Sequence, residues 1–150
     1  MPKILVCYYS PVISPETHIS LVNLIQHPSV TNHLVNRVSR NDLINSAMIL
    51  PDWDKLLLIG QSVSGFSATH LEHLVNANLP IIGGILPHIN PPFAPEVVYQ
   101  QSLEELNNHE ELVKYLVEKR PKRIHQVFSS SLDFILLDRG ILEKLPKPVF

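Results

Sequence analysis

The stretch "WDKLLLIGQSVSGF", Trp53 to Phe66, decides how the chain is read. Leu56, Leu57, Leu58 and Ile59 form an apolar run without polar alternation, the pattern of a strand buried on both faces of a parallel sheet. The run ends in Gly60, Gln61 and Ser62, a small uncharged turn. In parallel α/β folds, ligands bind beyond the carboxyl ends of the strands, so chemistry is expected at this turn. It carries neither a carboxylate nor a phosphate loop. "GQSVSG" lacks the P-loop lysine, and "SVSG", Ser62 to Gly65, lacks the leading glycine spacing of a hydrolase elbow.

Outward from this strand, strand-like and helix-like segments alternate. "KILVCYYS" is a first buried strand. Ser14 is a helix cap with Pro15 at the first helical position, followed by Ile19, Val22 and Ile25 at helical spacing. "SVTNHLVNRV" reads as a second strand. Ser39 caps "RNDLINSAMIL", in which Leu43, Ile44, Ala47 and Met48 share a face. After the central strand come the helix "SATHLEHLVNANL", with Leu71, Leu74 and Val75 inward, and the short strand "PIIGGIL". A proline-rich connection then leads to an amphipathic helix from Ser102 to Lys119. "IHQVFSSSLDFILLDRGILEKL" gives two strands and a short helix. This order predicts one α/β domain over residues 1–150: three layers, Rossmann-like, with a mainly parallel sheet and helices on both faces. The "DKLLLIG" strand is expected inside the sheet, beside Lys3 to Tyr9.

Bulk properties narrow the function classes. A chain of 150 residues with 45% hydrophobic and 17% charged residues suits one globular core. No apolar run approaches the roughly 20 residues that span a bilayer, and the amino terminus lacks a signal-peptide pattern. A cytoplasmic protein without a membrane span is the expectation. With 12 Lys and Arg against 14 Asp and Glu, the net charge of −2 gives no reason to bind nucleic acid. The basic run "EKRPKR", Glu118 to Arg123, reads as a solvated helix end. Cys7, the single cysteine, rules out a disulfide framework, and its apolar strand makes it an inert thiol rather than a nucleophile. Among the eight histidines, His70 and His73 are spaced to share a helix face, and His88 and His125 are candidate ligands or acid-base groups. Neither His70 nor His73 has a carboxylate or cysteine partner at a convincing spacing, and surface or hydrogen-bonded histidine is the preferred reading for each.

The order of segments from Arg40 to Tyr99, together with "SLDFILLDRGILEKLPKPVF", resembles a compact nucleotide-sugar glycosyltransferase of the GT-A fold, family 2 type. In that family an Arg-Asn helix start precedes an apolar strand ending in Asp-any-Asp, then a helix, a "PIVGG"-like strand and a proline-rich loop. The resemblance implies sugar transfer from a nucleoside diphosphate sugar to a hydroxyl acceptor. It assigns Tyr8, Tyr9 and Ser10 to the nucleoside, Arg40 and Asn41 to the diphosphate, Gln61 and Ser62 to ribose or phosphate, and Gly83 and Gly84 to the sugar. Compact members also resemble proteins encoded by viruses and phages.

Two departures bear on activity. Gly60 and Ser62 stand where the family's two metal-binding aspartates fall, so the Mn or Mg of the family has no ligands there and no metal or other cofactor is expected. Asp52 and Asp54 form an Asp-any-Asp pair but precede the strand, which places them at its opposite end. The chain also stops at Phe150, before the acidic segment that supplies the family's catalytic base. Asp133 is the candidate base in its absence; Asp138 and Glu143 have local roles as a helix cap and a solvated face. Alternative readings stand beside these: one tyrosine packing in the core and the other at its rim, Arg40 as an exposed helix-start residue, and the whole chain as a non-catalytic nucleotide-binding or assembly protein that keeps the fold. A different nucleotide-binding α/β protein with a coincident order of segments is a third.

Overall fold

The computed structural model describes residues 1–10, 12–36, 39–60, 63–84, 97–98, 129–130 and 133–146. The helix expected from Ser102 to Lys119, the basic run, His88, His125 and the two turn residues Gln61 and Ser62 lie outside these.

The described elements are β1 (Ile4–Tyr9), α1 (Pro15–Ile25), β2 (Val30–Asn36), α2 (Arg40–Ile49), β3 (Lys55–Ile59), α3 (Ala68–Asn76), β4 (Ile81–Gly83), β5 (Val97–Val98), β6 (Ser129–Ser130), β7 (Phe134–Asp138) and α4 (Arg139–Leu142). They fall into two compact units, Met1–Gly84 with Leu132–Phe150, and Ile85–Ser131. In the second unit β5 and β6 pair antiparallel, Val97 opposite Ser130.

The first unit is built on a five-stranded sheet ordered β2-β1-β3-β7-β4. β1 pairs parallel with both β2 and β3. β7 runs antiparallel to β3 on one side and to β4 on the other, so it is the single reversed strand of this sheet. The β3 strand is therefore interior, beside β1, and all five of its residues are buried. Each fully buried leucine there contributes roughly 1.5–3 kcal/mol relative to exposure, which explains why the run tolerates no polar alternation.

Alternation along the strands sorts the core into two layers. On one face Leu5, Cys7, Leu56, Leu58, Ile135 and Leu137 cluster with Leu43, Ile44 and Ala47 of α2 and Leu142 of α4. Residues of the opposite set, Ile4, Val6, Tyr8, Leu57, Ile59 and Leu136, are also buried. Phe134, level with Ile59 on that second face, meets Phe66 of the approach to α3 at 5.6 Å between ring centroids. The same approach is tied to α1: Thr17 Oγ1 donates to the Val63 carbonyl at 3.0 Å, and Gly65 N donates to Ser20 Oγ at 3.1 Å. Gly65 has φ of 72°, a conformation that a β-carbon would strain. Helices thus cover both faces of a parallel-rich sheet.

The caps expected at Ser14 and Ser39 are present, whereas Asp138 stands at the N-cap of α4 without a side-chain capping bond. Ser14 Oγ accepts from Thr17 N, and Ser39 Oγ accepts from Asp42 N. The inward face of α1 differs from the sequence reading. Thr17, Ser20, Leu21 and Leu24 are buried, whereas Ile19 is 60% exposed. The hydroxyls of Thr17 and Ser20 are satisfied by the loop after β3, so polar residues occupy the face that hydrophobicity alone assigned to Ile19 and Val22. Among the described residues no helix is long and apolar enough to cross a membrane.

Candidate functional site

The site is set by where strands end. Tyr8 is level with Ile59 across the β1/β3 pair, so Tyr9, Ser10 and Gly60 follow side by side at the carboxyl end of the sheet. The start of α2 is fastened to the same end: Ser10 N donates to the Asn36 carbonyl at 3.2 Å, and Ser39 N donates to Asn36 Oδ1 at 2.9 Å. Arg40, the first residue of α2, is thereby held over the end of β1, with its guanidinium carbon 5.6 Å from the Tyr9 ring centroid. Because β7 is reversed, its entry rather than its exit reaches this end. Asp133, immediately before β7, accepts a hydrogen bond from Gly60 N through its carbonyl at 2.8 Å.

The side chain of Asp133 lies directly over Gly60. A β-carbon on Gly60 would sit 2.0 Å from Oδ1 and 2.6 Å from the carboxyl carbon of Asp133. Arg40 Nη2 donates to that same Oδ1 at 2.8 Å. Both side chains are about one-third open to solvent, at 31% for Arg40 and 29% for Asp133. Arg40 Nε is buried without a hydrogen-bond partner among the described residues.

The residues singled out in the sequence divide accordingly. Tyr9, Arg40, Gly60 and Asp133 come together. Tyr8 does not join them: it is 1% exposed inside the core, so its ring has no face to offer a base, which corrects its assignment to the nucleoside. Ser10 is also buried, and its hydroxyl donates to the Val12 carbonyl. Asn41 is exposed on α2. Gly83 and Gly84 reflect a close approach, but the partner seen is β7: a β-carbon on Gly84 would lie 3.1 Å from Phe134 Cδ1, and Gly84 N donates to the Phe134 carbonyl at 2.9 Å. Gln61 and Ser62 are outside the described residues. The Arg40–Asp133 pair over Gly60 was not read from the sequence, where the two residues had separate roles. Its only local signals are a glycine and an aspartate, each at the end of an apolar run.

No protein-family model and no curated protein matches the chain. Superposition gives a different result. The chain shares the fold of A197 from STIV. That crystal structure matches with a TM-score of 0.58 and 15% identity, over 99% of this chain and 71% of A197. At such identity the likeness to A197 is one of backbone architecture.

Among the described residues, the donor set at the end of β3 does not suit a divalent cation. Mg2+ or Mn2+ calls for several oxygen ligands, but Gly60 has no side chain to offer one, and the carboxylate above it already accepts from a guanidinium. Among the described residues no group of three or more His, Cys, Asp or Glu is placed to hold a metal. Several described histidines have local partners. His27 links Ser29 and Glu72, and His70 closes a capping box with Ser67.

At the opposite end of the sheet lies an open cleft of about 610 Å3, bordered by Trp53, Lys55, Asp138 and Arg139. Its principal charges are engaged within the fold. Lys55 is paired with Asp138, and Arg139 lies 4.6 Å from the Trp53 ring while donating to Glu143 at 2.9 Å. Asp52 and Asp54 are exposed at this end and bond to Lys3, as expected of turn residues remote from the site.

Proposed function

We propose that the chain is a GT-A-like nucleotide-sugar binding protein whose site lies at the carboxyl ends of β1 and β3, with sugar transfer that is slow for want of a metal. One observation carries the reading: Tyr9, Arg40 and Asp133 converge at one end of a parallel-rich sheet, where α/β folds take ligands. Tyr9 is the ring for the base and Arg40 the cation for the diphosphate. Asn41 and the turn residues Gln61 and Ser62 are assigned to the nucleotide, and Gly83 and Gly84 to the sugar, as the resemblance implies. In the transfer step the acceptor oxygen bonds to the anomeric carbon, the bond from that carbon to the diphosphate oxygen breaks, and the diphosphate leaves with the electron pair. The hydroxyl proton goes to a base, for which Asp133 is the candidate once its carboxylate is released from Arg40.

Charge on the leaving group grows as that bond breaks, and a guanidinium offsets less of it than a bridging divalent cation with its carboxylates. Ground-state binding suffers less from that loss than turnover does. The engagement of Asp133 by Arg40 also favours a second reading, a binding or assembly protein that retains the fold without the chemistry.

Calorimetry with nucleoside diphosphates and nucleotide sugars tests both readings. The expected result is weak binding that exceeds that of inorganic pyrophosphate and falls with Tyr9→Ala or Arg40→Ala, together with slow donor hydrolysis. Nucleoside diphosphates binding no better than pyrophosphate would end the nucleotide reading. Brisk transfer without added metal would end the claim of slow chemistry.

A further inference from the structure

The geometry points to Asp133 as an internal plug: its carboxylate occupies the seat on Arg40 that an oxyanion ligand takes, and a diphosphate enters by displacing it. The inference rests on the assignment of Arg40 to the diphosphate. Three observations support it. Arg40 Nη2 donates to Asp133 Oδ1 at 2.8 Å, a charge-assisted bond of the kind the same guanidinium makes to a phosphate oxygen. The space under that carboxylate exists because residue 60 has no side chain; a β-carbon there would be 2.0 Å from Oδ1. Arg40 Nε, buried and without a partner among the described residues, leaves a second donor of the fork unused in the plugged state.

An internal anion and a ligand anion that compete for one guanidinium are coupled negatively. The ligand's apparent affinity falls by the fraction of molecules in which the seat is open. Asp133 therefore acts as a positioning residue for Arg40 in the ligand-free protein and sets a threshold for anions. The Asp133 carboxylate meets Arg40 at Nη2 through Oδ1, whereas a diphosphate brings more anionic oxygens and more charge to the same guanidinium. The site is thus expected to favour a polyanion such as a diphosphate over monoanions such as acetate.

The test is a double-mutant cycle read by calorimetry with inorganic pyrophosphate, on the full chain at constant ionic strength. Asp133→Asn keeps the side-chain shape and removes the competing charge. It is expected to tighten pyrophosphate binding about tenfold, within the roughly 5- to 150-fold range of coupled sites. Asp133→Ala is the second variant should the first fold poorly. In the Arg40→Met background the same change is expected to give no gain, because the seat itself is gone. Asp42→Asn, which neutralises another carboxylate in the first turn of α2, controls for net charge and is expected to give a smaller gain.

A gain of equal size with and without Arg40 means general electrostatics and overturns the plug. So does unchanged or weaker binding by both Asp133 variants, or no pyrophosphate binding by any variant at millimolar concentration. Pyrophosphate carries no base or sugar, so its result separates from the nucleotide reading. An Arg40-dependent gain without preference for nucleoside diphosphates keeps the plug and loses the nucleotide, and nucleotide binding indifferent to Asp133 does the reverse.

Discussion

Asp133 fills the space that a side chain at residue 60 would need, with its Oδ1 2.0 Å from the position of a Gly60 β-carbon. Gly60 is not among the residues with positive φ, so its backbone does not itself demand glycine. The absent side chain is explained by the carboxylate above it, which is in turn fixed by Arg40 and by the Gly60 amide bonded to the Asp133 carbonyl.

Gly60→Ala is therefore expected to destabilise the protein by about 1–3 kcal/mol through overpacking alone. Combining it with Asp133→Gly should recover part of that loss, with a coupling of about 1 kcal/mol in urea unfolding. Strict additivity of the two changes would show that the contact is unimportant. For the same reason Gly60→Asp does not simply supply a metal-binding carboxylate. It has to expel Asp133 first, and is expected to destabilise unless Asp133 is also shortened.

The two adjacent tyrosines should behave oppositely. Tyr8, 1% exposed, packs against the second face of the sheet, and Tyr8→Ala is expected to cost about 3–5 kcal/mol, in the range of large aromatic truncations. Tyr9, partly exposed beside Arg40, should cost far less on truncation and instead weaken nucleotide binding. Parallel measurement of unfolding and of nucleotide affinity for both variants checks this. Equal stability losses would place both rings in the core.

Much of the sheet was legible because buried parallel strands advertise themselves: the unbroken runs of β1 and β3 have no other comfortable place than the interior. The serine caps at Ser14 and Ser39 were legible for a similar reason, since their hydrogen bonds are local. The reversal of β7 was not. Residues Phe134 to Asp138 have the same apolar character in either direction, and only pairing with β3 and β4 reveals which end meets Gly60. The Asp133 and Arg40 contact depends on that reversal, so it could not be read from periodicity or from a resemblance that placed the two residues in separate motifs.

Cys7 offers a probe of core integrity. Burial pushes its thiol up to about 12 from an ordinary value of 9.0, so the neutral form is strongly preferred in the folded state. Ellman-type reagents should label it only on unfolding, at any pH up to 9. The linkage has a definite sign. Above about pH 9 the unfolded thiol loses its proton while the folded one keeps it, so the folded state binds more protons and stability falls with rising pH through about pH 12. Cys7→Ser or Cys7→Ala should flatten that part of the profile. Rapid native labelling at neutral pH would contradict the burial.

The ion pair at the other end of the sheet should respond asymmetrically to its two partners. Lys55 is nearly enclosed, with 11% of its side chain exposed, whereas Asp138 is 37% exposed. Lys55→Met leaves a carboxylate that water can reach and replaces the lysine stem with apolar volume, so a loss of about 1 kcal/mol is expected. Asp138→Ala leaves a mostly buried ammonium group, 11% exposed in the native protein, without its partner. That outcome is more severe, about 3 kcal/mol, the lower end for breaking a buried pair. Helix capping does not confound the comparison, because Asp138 is the N-cap residue of α4 without a side-chain capping bond. Urea unfolding of the two variants should therefore rank Asp138→Ala below Lys55→Met, and the double variant should lie closer to Lys55→Met. The opposite ranking would mean that the lysine reaches water and that the pair is a surface contact rather than part of the sheet's interior.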